Sequence, residues 1–378
     1  MKNCRKPLAV YVHVPFCMSK CFYCDFNSYQ GMLDKQISYF SALEKELAKY
    51  KSVFAARGIS SVFFGGGTPT SVNSQLLTNF LSKLHLFQIK DGENTFECNP
   101  GTADLDAFTD LYNAGFNRIS IGLQSSNDEE LKKLGRVHNY SQFVKTFENA
   151  RSAGFSNISV DLMFGIPSQT IESWKRTLET VAAMQPEHLS CYSLKLEKGT
   201  PLHEKNLIED LCLPNEDAER EMYYLTQDLL GNLGYTQYEI SNWCKPGFDS
   251  KHNTAYWKCD EYIGLGAGAH SYFEDKRFGN ISGILEYIEL SPEVVNDAET
   301  VEIDLLAQKQ EFVMLGLRLM NGIDLGEFRE LFEVELTSVF KKEIEKLMKM
   351  NIIEIVDNHL KLTKKGIDFA NLAFMEFV

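Results

Sequence analysis

Three cysteines lie within eight residues of one another, and their spacing is suited to holding a metal cluster. Cys17, Cys21 and Cys24 follow the pattern C-x-x-x-C-x-x-C. The apolar run from Leu8 to Val14 precedes them and predicts a buried strand. Pro15 ends that strand, because proline donates no ladder hydrogen bond. The thiols should therefore lie in a loop at the carboxyl end of a strand, where α/β sheets and barrels place their chemistry.

A set of three thiolates favours a [4Fe–4S] cluster with one open iron. A cubane cluster has four irons and is usually bound by cysteine thiolates, so three cysteines leave one iron free for a substrate or cofactor. A structural zinc site normally closes with four ligands in two pairs, and no second C-x-x-C pair lies nearby. Cys4 or His13 could complete a zinc site. Unliganded cysteines packed in a core are the third alternative.

The cysteine spacing resembles that of the radical S-adenosylmethionine (SAM) enzymes. The wider string from Tyr11 to Phe26, YVHVPFCMSKCFYCDF, resembles the oxygen-independent coproporphyrinogen oxidase group, and within it the HemW branch of heme chaperones. The resemblance runs from about residue 8 to the C-terminus. It implies a [4Fe–4S] cluster held by the three cysteines, together with SAM and heme as further ligands.

Composition and charge exclude several classes of protein. The 378 residues are enough for two domains, and no run approaches the roughly 20 apolar residues of a membrane span. The formal net charge of −14 argues against nucleic acid as a main partner, which needs a basic footprint. Nine cysteines, most of them scattered singly, argue against a secreted disulfide scaffold. The N-terminus lacks a signal-peptide pattern, and we expect a cytoplasmic protein.

Short apolar runs alternate with helical patterns over the first 230 residues. In the first helical pattern, apolar residues recur at helical spacing from Ile37 to Leu47, and Asp34 is placed to cap the helix. Six β–α units in series imply parallel strands with right-handed crossovers. This pattern fits both an open doubly wound sheet and a partial barrel, and the family resemblance selects a partial (β/α)6 barrel of the TIM type. The candidate strands are Leu8–Val14, Ser61–Phe64, Thr95–Cys98, Arg118–Ile121, Ile158–Leu162 and Leu189–Ser193.

Two further segments follow the barrel pattern. We expect domain boundaries that give a barrel over residues 1–230, an irregular barrel-closing segment over 231–300 and a C-terminal domain over 301–378. The last segment combines helices with a hairpin, Ile352–Val356 and His359–Leu362, turning at Asp357 and Asn358. This predicts a winged-helix-like α+β domain of the type that closes the family's chains. Fold alone does not make such a domain a DNA reader.

Polar or glycine-rich residues follow several strands, and the resemblance implies that they bind SAM. Glycines let the backbone approach a ligand closely, glutamine can donate and accept, arginine can grip a carboxylate, and an acid within an apolar run is costly unless satisfied. The alternatives to SAM binding are purely structural: a flexible turn for the glycines, solvent-exposed positions for the charged residues, and packed rings for the tyrosines. The candidates are Tyr11, Tyr23, Gly66, Gly67, Thr68, Glu97, Gln124, Arg136 and Asp161.

The chain departs from the oxidase at two points that the resemblance makes visible. The oxidase motif continues to a fourth cysteine two residues after the third, where this chain has Phe26. The oxidase also carries an extension before its cysteine loop, for which residues 1–16 leave no room. Both differences match the HemW branch and weigh against oxidation of coproporphyrinogen. No catalytic side chain is predicted, and whether SAM is cleaved to a 5′-deoxyadenosyl radical or merely held stays open.

A late motif offers a heme ligand. The string His252-Asn253-Thr254-Ala255-Tyr256-Trp257 resembles a motif of the HemW branch. Histidine is a common axial ligand of heme iron, and Tyr and Trp offer flat apolar faces to a macrocycle. The alternative is a structural turn with packed aromatics. His270, in a glycine-rich stretch, is a second and weaker candidate.

Together these features predict a heme chaperone that passes heme to apo-hemoproteins, with a SAM-bound cluster required for or regulating transfer. The alternative is a radical SAM enzyme acting on a porphyrinogen, and the third class is a zinc-binding structural protein. The identity of the heme recipient stays open, and the recipient could be a membrane-associated protein. The oligomeric state also stays open.

Overall fold

The computed structural model describes residues 6–378, so Cys4 lies outside the described residues. The strands are β1 (Leu8–Val14), β2 (Phe16–Cys17), β3 (Tyr29–Gln30), β4 (Ile59–Gly66), β5 (Gln88–Cys98), β6 (Arg118–Gln124), β7 (Ile158–Phe164), β8 (His188–Ser193), β9 (Thr236–Glu239), β10 (Asn242–Cys244), β11 (Tyr262–Leu265), β12 (His270–Phe273), β13 (Lys276–Gly279), β14 (Val301–Glu302), β15 (Ile323–Asp324), β16 (Ile353–Val356) and β17 (His359–Leu362).

Helices follow most of these strands. They are α1 (Gln36–Arg57), α2 (Ser74–His85), α3 (Leu105–Asn113), α4 (Asp128–Lys133), α5 (Tyr140–Ala153), α6 (Ile171–Ala182), α7 (Pro201–Ile208), α8 (Glu216–Asn232), α9 (Lys251–Trp257), α10 (Ile284–Leu290), α11 (Leu305–Gly316), α12 (Leu325–Phe332), α13 (Leu336–Val339), α14 (Lys341–Lys349), α15 (Lys364–Asp368) and α16 (Ala370–Glu376). Short 3₁₀ turns occur at Leu33–Lys35, Pro69–Ser71 and Asp297–Glu299.

The centre of the fold is a run of six parallel strands. β1, β4, β5, β6, β7 and β8 lie side by side in chain order. A doubly wound sheet would reverse its strand order at one point, and no reversal occurs here. Right-handed crossovers in one direction put the helices on one face of the sheet. The fold is therefore a partial (β/α)6 barrel, and all six predicted strands are confirmed.

The two faces of the six strands differ in chemistry. One face carries apolar residues such as Val12, Phe64 and Ile121, which are buried in the main core. Alternate residues point to the other face, which is polar. There Ser120 Oγ donates to Asp161 Oδ1 at 3.0 Å. A barrel interior packed only for stability is filled with branched apolar side chains, so the polar interior of this barrel favours ligand binding.

The segment after α8 extends the sheet at both edges. β10 and β9 add antiparallel beside β8, while β11 runs parallel to β1 and leads into β12, β13 and β14. β9 to β13 lie within the segment predicted as irregular, and β14 begins just after its end. We propose domain boundaries near residues 230 and 300.

The C-terminal part has its own core and a small sheet of order β15-β17-β16. This core runs from Phe312 to Phe377 and packs α11–α16 around the sheet. Asp357 and Asn358, which join β16 to β17, both have positive φ, at 48° and 63°, as a two-residue hairpin turn requires. The winged-helix-like α+β domain is confirmed.

The start of α1 differs from the prediction. Asp34 does not cap the helix, because residues Leu33–Lys35 form a 3₁₀ turn and Lys35 takes the N-cap position without a side-chain bond. The backbone N–H of Gln36 donates to the carbonyl of Leu33, so this turn satisfies a donor that a cap would serve. None of the helices within residues 6–378 is both long and apolar enough to cross a membrane.

A buried carboxyl ties α1 to the segment that follows the barrel. Glu46 is 1% exposed and accepts hydrogen bonds from the backbone N–H of Gly266 (2.9 Å), from Asn280 Nδ2 (2.7 Å) and from the Tyr287 hydroxyl. Burial raises the pKa of Glu46 to about 7, although these three donors oppose the rise.

This carboxyl should make stability depend on pH. Because the folded pKa of Glu46 lies above its unfolded value near 4.5, the folded state holds the proton more tightly. The contribution of Glu46 to the free energy of unfolding is therefore present at low pH and is lost as pH rises towards 7. Each pKa unit is worth about 1.4 kcal/mol, so we expect the free energy of unfolding to fall by on the order of 3 kcal/mol across this window.

Urea denaturation between pH 4.5 and 8 measures this effect. Glu46→Gln should flatten the slope of unfolding free energy against pH, whereas Glu44→Gln, on the same helix but exposed, should leave it unchanged. Equal slopes for Glu46→Gln and the wild type would contradict the prediction.

Candidate functional site

The cysteine loop is fastened to two distant parts of the barrel. Cys17 ends β2, which pairs in parallel with β3 on the far side of the loop. In the middle of the loop, Phe22 N–H donates to the Leu134 carbonyl at 2.9 Å, and Leu202 N–H donates to the Phe22 carbonyl at 2.8 Å. These bonds hold the thiols at the carboxyl ends of the strands, as the sequence predicts.

The three cysteines line one cavity at this end of the barrel. Cys17 is buried, while Cys21 and Cys24 are half-buried. Burial raises the pKa of the Cys17 and Cys24 thiols. Within residues 6–378, no three His, Cys, Asp or Glu side chains converge on a position for a single metal ion.

The glycine-rich stretch after β4 packs against the base of the cysteine loop. Gly67 N–H donates to the Val14 carbonyl at 2.9 Å, and Thr68 N–H donates to the Phe16 carbonyl at 2.8 Å. A Cβ on Gly67 would lie 2.6 Å from the Phe16 carbonyl oxygen. The Thr68 hydroxyl lies 3.7 Å from the Cys17 sulfur. Gly66, Gly67 and Thr68 all line the cavity, so this stretch fixes the loop and forms a wall of the site.

Two carboxyl groups reach the same cavity from β5 and β7. Glu97 accepts a hydrogen bond from Gly66 N–H at 3.1 Å, and Asp161 accepts from the Ser120 hydroxyl. Burial, with a smaller effect of the Asp161 charge, raises the pKa of Glu97 to about 8. Burial likewise raises the pKa of Asp161. A cationic ligand such as the SAM sulfonium or ammonium would favour their charged forms.

Arg136 connects the cluster loop to the strand ends. Its Nη1 lies 3.3 Å from the Cys21 sulfur, and its Nη2 donates to Asn99 Oδ1 at 2.6 Å and to the Gly122 carbonyl. Its Nε is buried without a hydrogen-bond partner. Among the described residues, the partners of Arg136 are therefore a thiol, an amide and a carbonyl, and the carboxylate fork stays a prediction.

Asn99 is a site residue that the sequence analysis did not select. Its Nδ2 donates to Thr68 Oγ1 at 2.8 Å while its Oδ1 accepts from Arg136. It therefore links two predicted SAM residues. Its place directly after the β5 strand, beside Glu97, is the signal that could have identified it.

Gln124 lines the cavity with a strained backbone. Its φ is +74°, and the pairing of β6 with β7 shifts register between Gly122 and Gln124. A left-handed conformation is costly for a residue other than glycine and tends to occur at functional sites. Gln124, at this irregular end of β6, is therefore a candidate ligand contact.

The two predicted tyrosines lie in different places. Tyr23 lines the cavity beside the cysteines. Tyr11 does not line it, and its hydroxyl lies 3.0 Å from His13 Nδ1. Tyr11 as a SAM contact stays a prediction. His13 Nε2 meets the Asn27 carbonyl oxygen at 2.8 Å, so both ring nitrogens of this candidate zinc ligand have partners.

His252, the predicted heme ligand, is buried in α9 at 1% exposure. Its Nδ1 lies 2.9 Å from Ser61 Oγ, and its Nε2 lies 2.9 Å from the Tyr256 hydroxyl. Burial lowers the pKa of His252 to about 3. Coordination of iron would require this side chain to break one of these bonds. His270 is exposed on β12. Both stay predictions as heme ligands.

The residues of the cavity fit a cubane cluster with SAM beside it. The donor set is three thiols that line the same cavity. A cubane takes one thiolate at each of three separate irons, which does not require the sulfurs to share a common centre. The Arg136 guanidinium beside Cys21 would balance thiolate charge, and its unpartnered Nε offers a donor to a ligand. The same cavity is lined by the glycines and carboxyls that a cationic, amino-acid-bearing cofactor needs.

Comparison with known proteins agrees with this geometry. Residues 11–181 match the model of the Radical SAM superfamily, and residues 303–369 match that of the HemN C-terminal domain. The chain is 35% identical over 376 residues to heme chaperone HemW of Bacillus subtilis, covering 98% of this chain and 99% of that one. It is 33% identical to heme chaperone HemW of Lactococcus lactis, over 99% and 98% of the two chains.

A solved structure shares the whole architecture. Coproporphyrinogen III oxidase HemN of Escherichia coli, described as a radical SAM enzyme, matches with a TM-score of 0.84 at 25% identity. The match covers 100% of this chain and 91% of that chain. It therefore includes both the partial barrel and the C-terminal domain.

Proposed function

The chain belongs to the HemW family of the radical SAM superfamily, and from this premise we propose that it is a heme chaperone that binds heme and delivers it to apo-hemoproteins. The observation that carries the proposal is similarity over the whole length, 98% of this chain and 99% of the Bacillus subtilis protein. A shared barrel alone would leave the function open, since one fold hosts many activities.

Membership of the superfamily implies a [4Fe–4S] cluster and SAM. We propose that Cys17, Cys21 and Cys24 hold the cluster. When bound, the cluster and SAM supply one-electron chemistry at the sulfonium. The chain's own residues hold and shield these groups. The proposed contacts to SAM are Tyr23, Gly66, Gly67, Thr68, Glu97, Gln124, Arg136 and Asp161, with Asn99 as a positioning residue.

The alternative function is oxidation of a porphyrinogen, which the close structural match to HemN favours. Phe26 is the residue that separates the two hypotheses. It is 61% exposed and lines the mouth of the cavity, at the position where the resemblance places a fourth cysteine in the oxidase. We propose that the absence of this fourth cysteine removes the oxidase activity and leaves the SAM site complete.

One experiment on reconstituted protein distinguishes the two functions. Anaerobically prepared, cluster-loaded protein is titrated with heme, and the loaded protein is mixed with apomyoglobin as a model acceptor. The same preparation is reduced and incubated with SAM and coproporphyrinogen. We expect saturable heme binding, transfer to the acceptor, and no protoporphyrinogen. Protoporphyrinogen formed at a catalytic rate, or absence of heme binding, would contradict the proposal.

The natural recipient is not identified by the chain. We propose an apo-hemoprotein acceptor, either soluble or membrane-associated, and action in the cytoplasm, as the sequence predicts. No role for nucleic acid is proposed.

A further inference from the structure

The amide of Gln124 is buried beside the cavity without a partner. The side chain is 8% exposed and lines the cavity, and its amide forms no hydrogen bond within residues 6–378. Buried polar groups are normally hydrogen-bonded. An amide that is both buried and unpaired at the edge of a cavity therefore indicates a ligand, to which it offers a donor and an acceptor.

The direction of this amide depends on a strained piece of backbone. Residues 122–125, which we call the β6 turn, contain the register shift beside β7 and the left-handed conformation of Gln124. Such a conformation persists at a residue other than glycine only where surrounding contacts hold it. The contacts that fix the β6 turn therefore also fix where the Gln124 amide lies.

The segment between α4 and α5, residues 134–138, supplies two of these contacts. Arg136 Nη2 donates to the Gly122 carbonyl, and His138 Nε2 lies 3.2 Å from the Leu123 carbonyl oxygen. The Leu123 carbonyl belongs to the planar peptide group that directly precedes the Gln124 Cα. Holding this carbonyl therefore restricts rotation at the φ angle of Gln124.

The protonation state of His138 follows from its partner. A carbonyl oxygen only accepts hydrogen bonds, so Nε2 of the ring carries a proton. His138 is 5% exposed, and burial together with the Arg136 charge lowers the pKa of His138 to about 3. At neutral pH the ring is therefore uncharged, and its one N–H is committed to the β6 turn.

The segment that carries His138 is itself anchored to the cysteine loop. The Leu134 carbonyl accepts a hydrogen bond from Phe22 N–H at 2.9 Å. The Phe22 ring covers Gly135, where a Cβ would lie 2.7 Å from the ring. His138 therefore donates from a fixed support, as a residue that sets the geometry of another must.

The other side of Gln124 is held by a buried carboxyl. Ser125 Oγ donates to Glu130 Oε2 at 2.6 Å, and Gln169 Nε2 donates to the same oxygen at 3.0 Å. Glu130 is 4% exposed. Gln124 is thus the residue of the β6 turn whose side chain is left unpaired between two fastened neighbours.

We propose that His138 is a positioning residue for SAM, because its hydrogen bond to the Leu123 carbonyl holds Gln124 in the conformation that presents the amide to the cofactor. The inference rests on the proposed SAM site and adds a residue that acts on the site from outside, since His138 does not line the cavity.

The test is a double-mutant cycle on the affinity for SAM, measured by equilibrium dialysis of labelled SAM against the cluster-loaded full chain. His138→Phe keeps a ring but removes the donor, and His138→Gln keeps an N–H near the position of Nε2. Gln124→Gly removes the amide and adopts a positive φ without strain. The control is His359→Phe, because His359 Nδ1 also lies against a carbonyl, that of Asp357 at 2.8 Å, but in the C-terminal domain.

We expect His138→Phe to weaken SAM binding by about tenfold, the equivalent of about 1.4 kcal/mol, with unchanged iron content. His138→Gln should bind SAM nearly as the wild type does, and His359→Phe should match the wild type. In the Gln124→Gly background, His138→Phe should cause little further loss, because residues that act through one another are not additive.

Two results would overturn the inference. One is wild-type affinity for SAM in His138→Phe, and the other is a full tenfold further loss in the double variant, which would mean that His138 does not act through Gln124. If His138→Phe does not retain its cluster, the same cycle is run with His138→Asn, whose shorter side chain withdraws the donor without adding apolar bulk, and the same two results decide.

Failure of this inference differs from failure of the proposed function. A cluster-loaded wild type that binds no SAM would contradict the SAM site itself. A wild type that binds SAM, with either of the two contradicting results in the variants, would leave the SAM site in place and remove only the role of His138.

Discussion

Serine in place of Cys17, Cys21 or Cys24 is expected to abolish the iron–sulfur cluster. The three cysteines line the same cavity, and the cluster depends on one thiolate at each of three irons. Removing one sulfur leaves two irons without a protein ligand. After anaerobic reconstitution, iron and acid-labile sulfide should fall from about four of each per chain to near zero, and SAM binding should be lost with them.

A fourth cysteine provides a matched control within the same cavity. Cys98 also lines the cavity, but its sulfur lies 3.4 Å from the Asn99 carbonyl oxygen, and the residue packs into the main core. Cys98→Ala should therefore keep the full complement of iron and sulfide. Loss of the cluster in Cys98→Ala, or its survival in any of the three serine variants, would contradict a three-thiolate site. Zinc in place of iron in the wild type would also contradict it.

Alanine in place of Gly67 is expected to have the second largest effect. The added Cβ would lie 2.6 Å from the Phe16 carbonyl oxygen, 2.8 Å from the Val14 carbonyl oxygen and 2.9 Å from the Phe16 nitrogen. These are backbone atoms in a hydrogen-bonded pair of segments, so they cannot rotate away as a side chain would. Relief of the clash moves Phe16 and with it Cys17. Overpacking of this kind costs about 1–3 kcal/mol.

Two measurements test the effect of this substitution. The midpoint of thermal unfolding should fall in Gly67→Ala, and the iron bound per chain should fall with it. Gly231→Ala is the control, because a Cβ there meets no atom within 4 Å and alanine favours a helix such as α8 over glycine by about 1 kcal/mol. Wild-type iron content and stability in Gly67→Ala would contradict the prediction. They would show that the stretch around Gly67 can move away from Val14 and Phe16 without loss of the cluster.

Local patterns in the sequence predicted the six-stranded barrel well, because each strand has a continuous or alternating apolar pattern of its own. β1 was predicted at Leu8–Val14, its bounds in the structure, since Pro15 marks its end. Strand order came from the family resemblance, because periodicity alone fits two architectures. The cap at Asp34 was wrong, because the 3₁₀ turn before α1 depends on local backbone geometry that composition does not encode.

The site, like the fold, was predicted from the sequence only in part. Tyr23, Gly66, Gly67, Thr68, Glu97, Gln124, Arg136 and Asp161 were predicted to lie together, and the structure brings them to one cavity. Their contacts with SAM stay predictions. Asn99 escaped notice because its role depends on two partners, Thr68 and Arg136, that lie 31 and 37 residues away. Likewise, only the structure shows that His252 is hydrogen-bonded to Ser61 and Tyr256.

The most direct test of the account is EPR spectroscopy of the reduced, cluster-loaded protein before and after addition of SAM. An iron without a protein ligand should take up the amino and carboxylate groups of SAM, so the g values of the reduced cluster should change when SAM binds. The change should disappear in Cys21→Ser together with the cluster itself. A spectrum of an intact [4Fe–4S] cluster that SAM leaves unaltered would mean that protein side chains fill all four places, and that the site described here is not a SAM site.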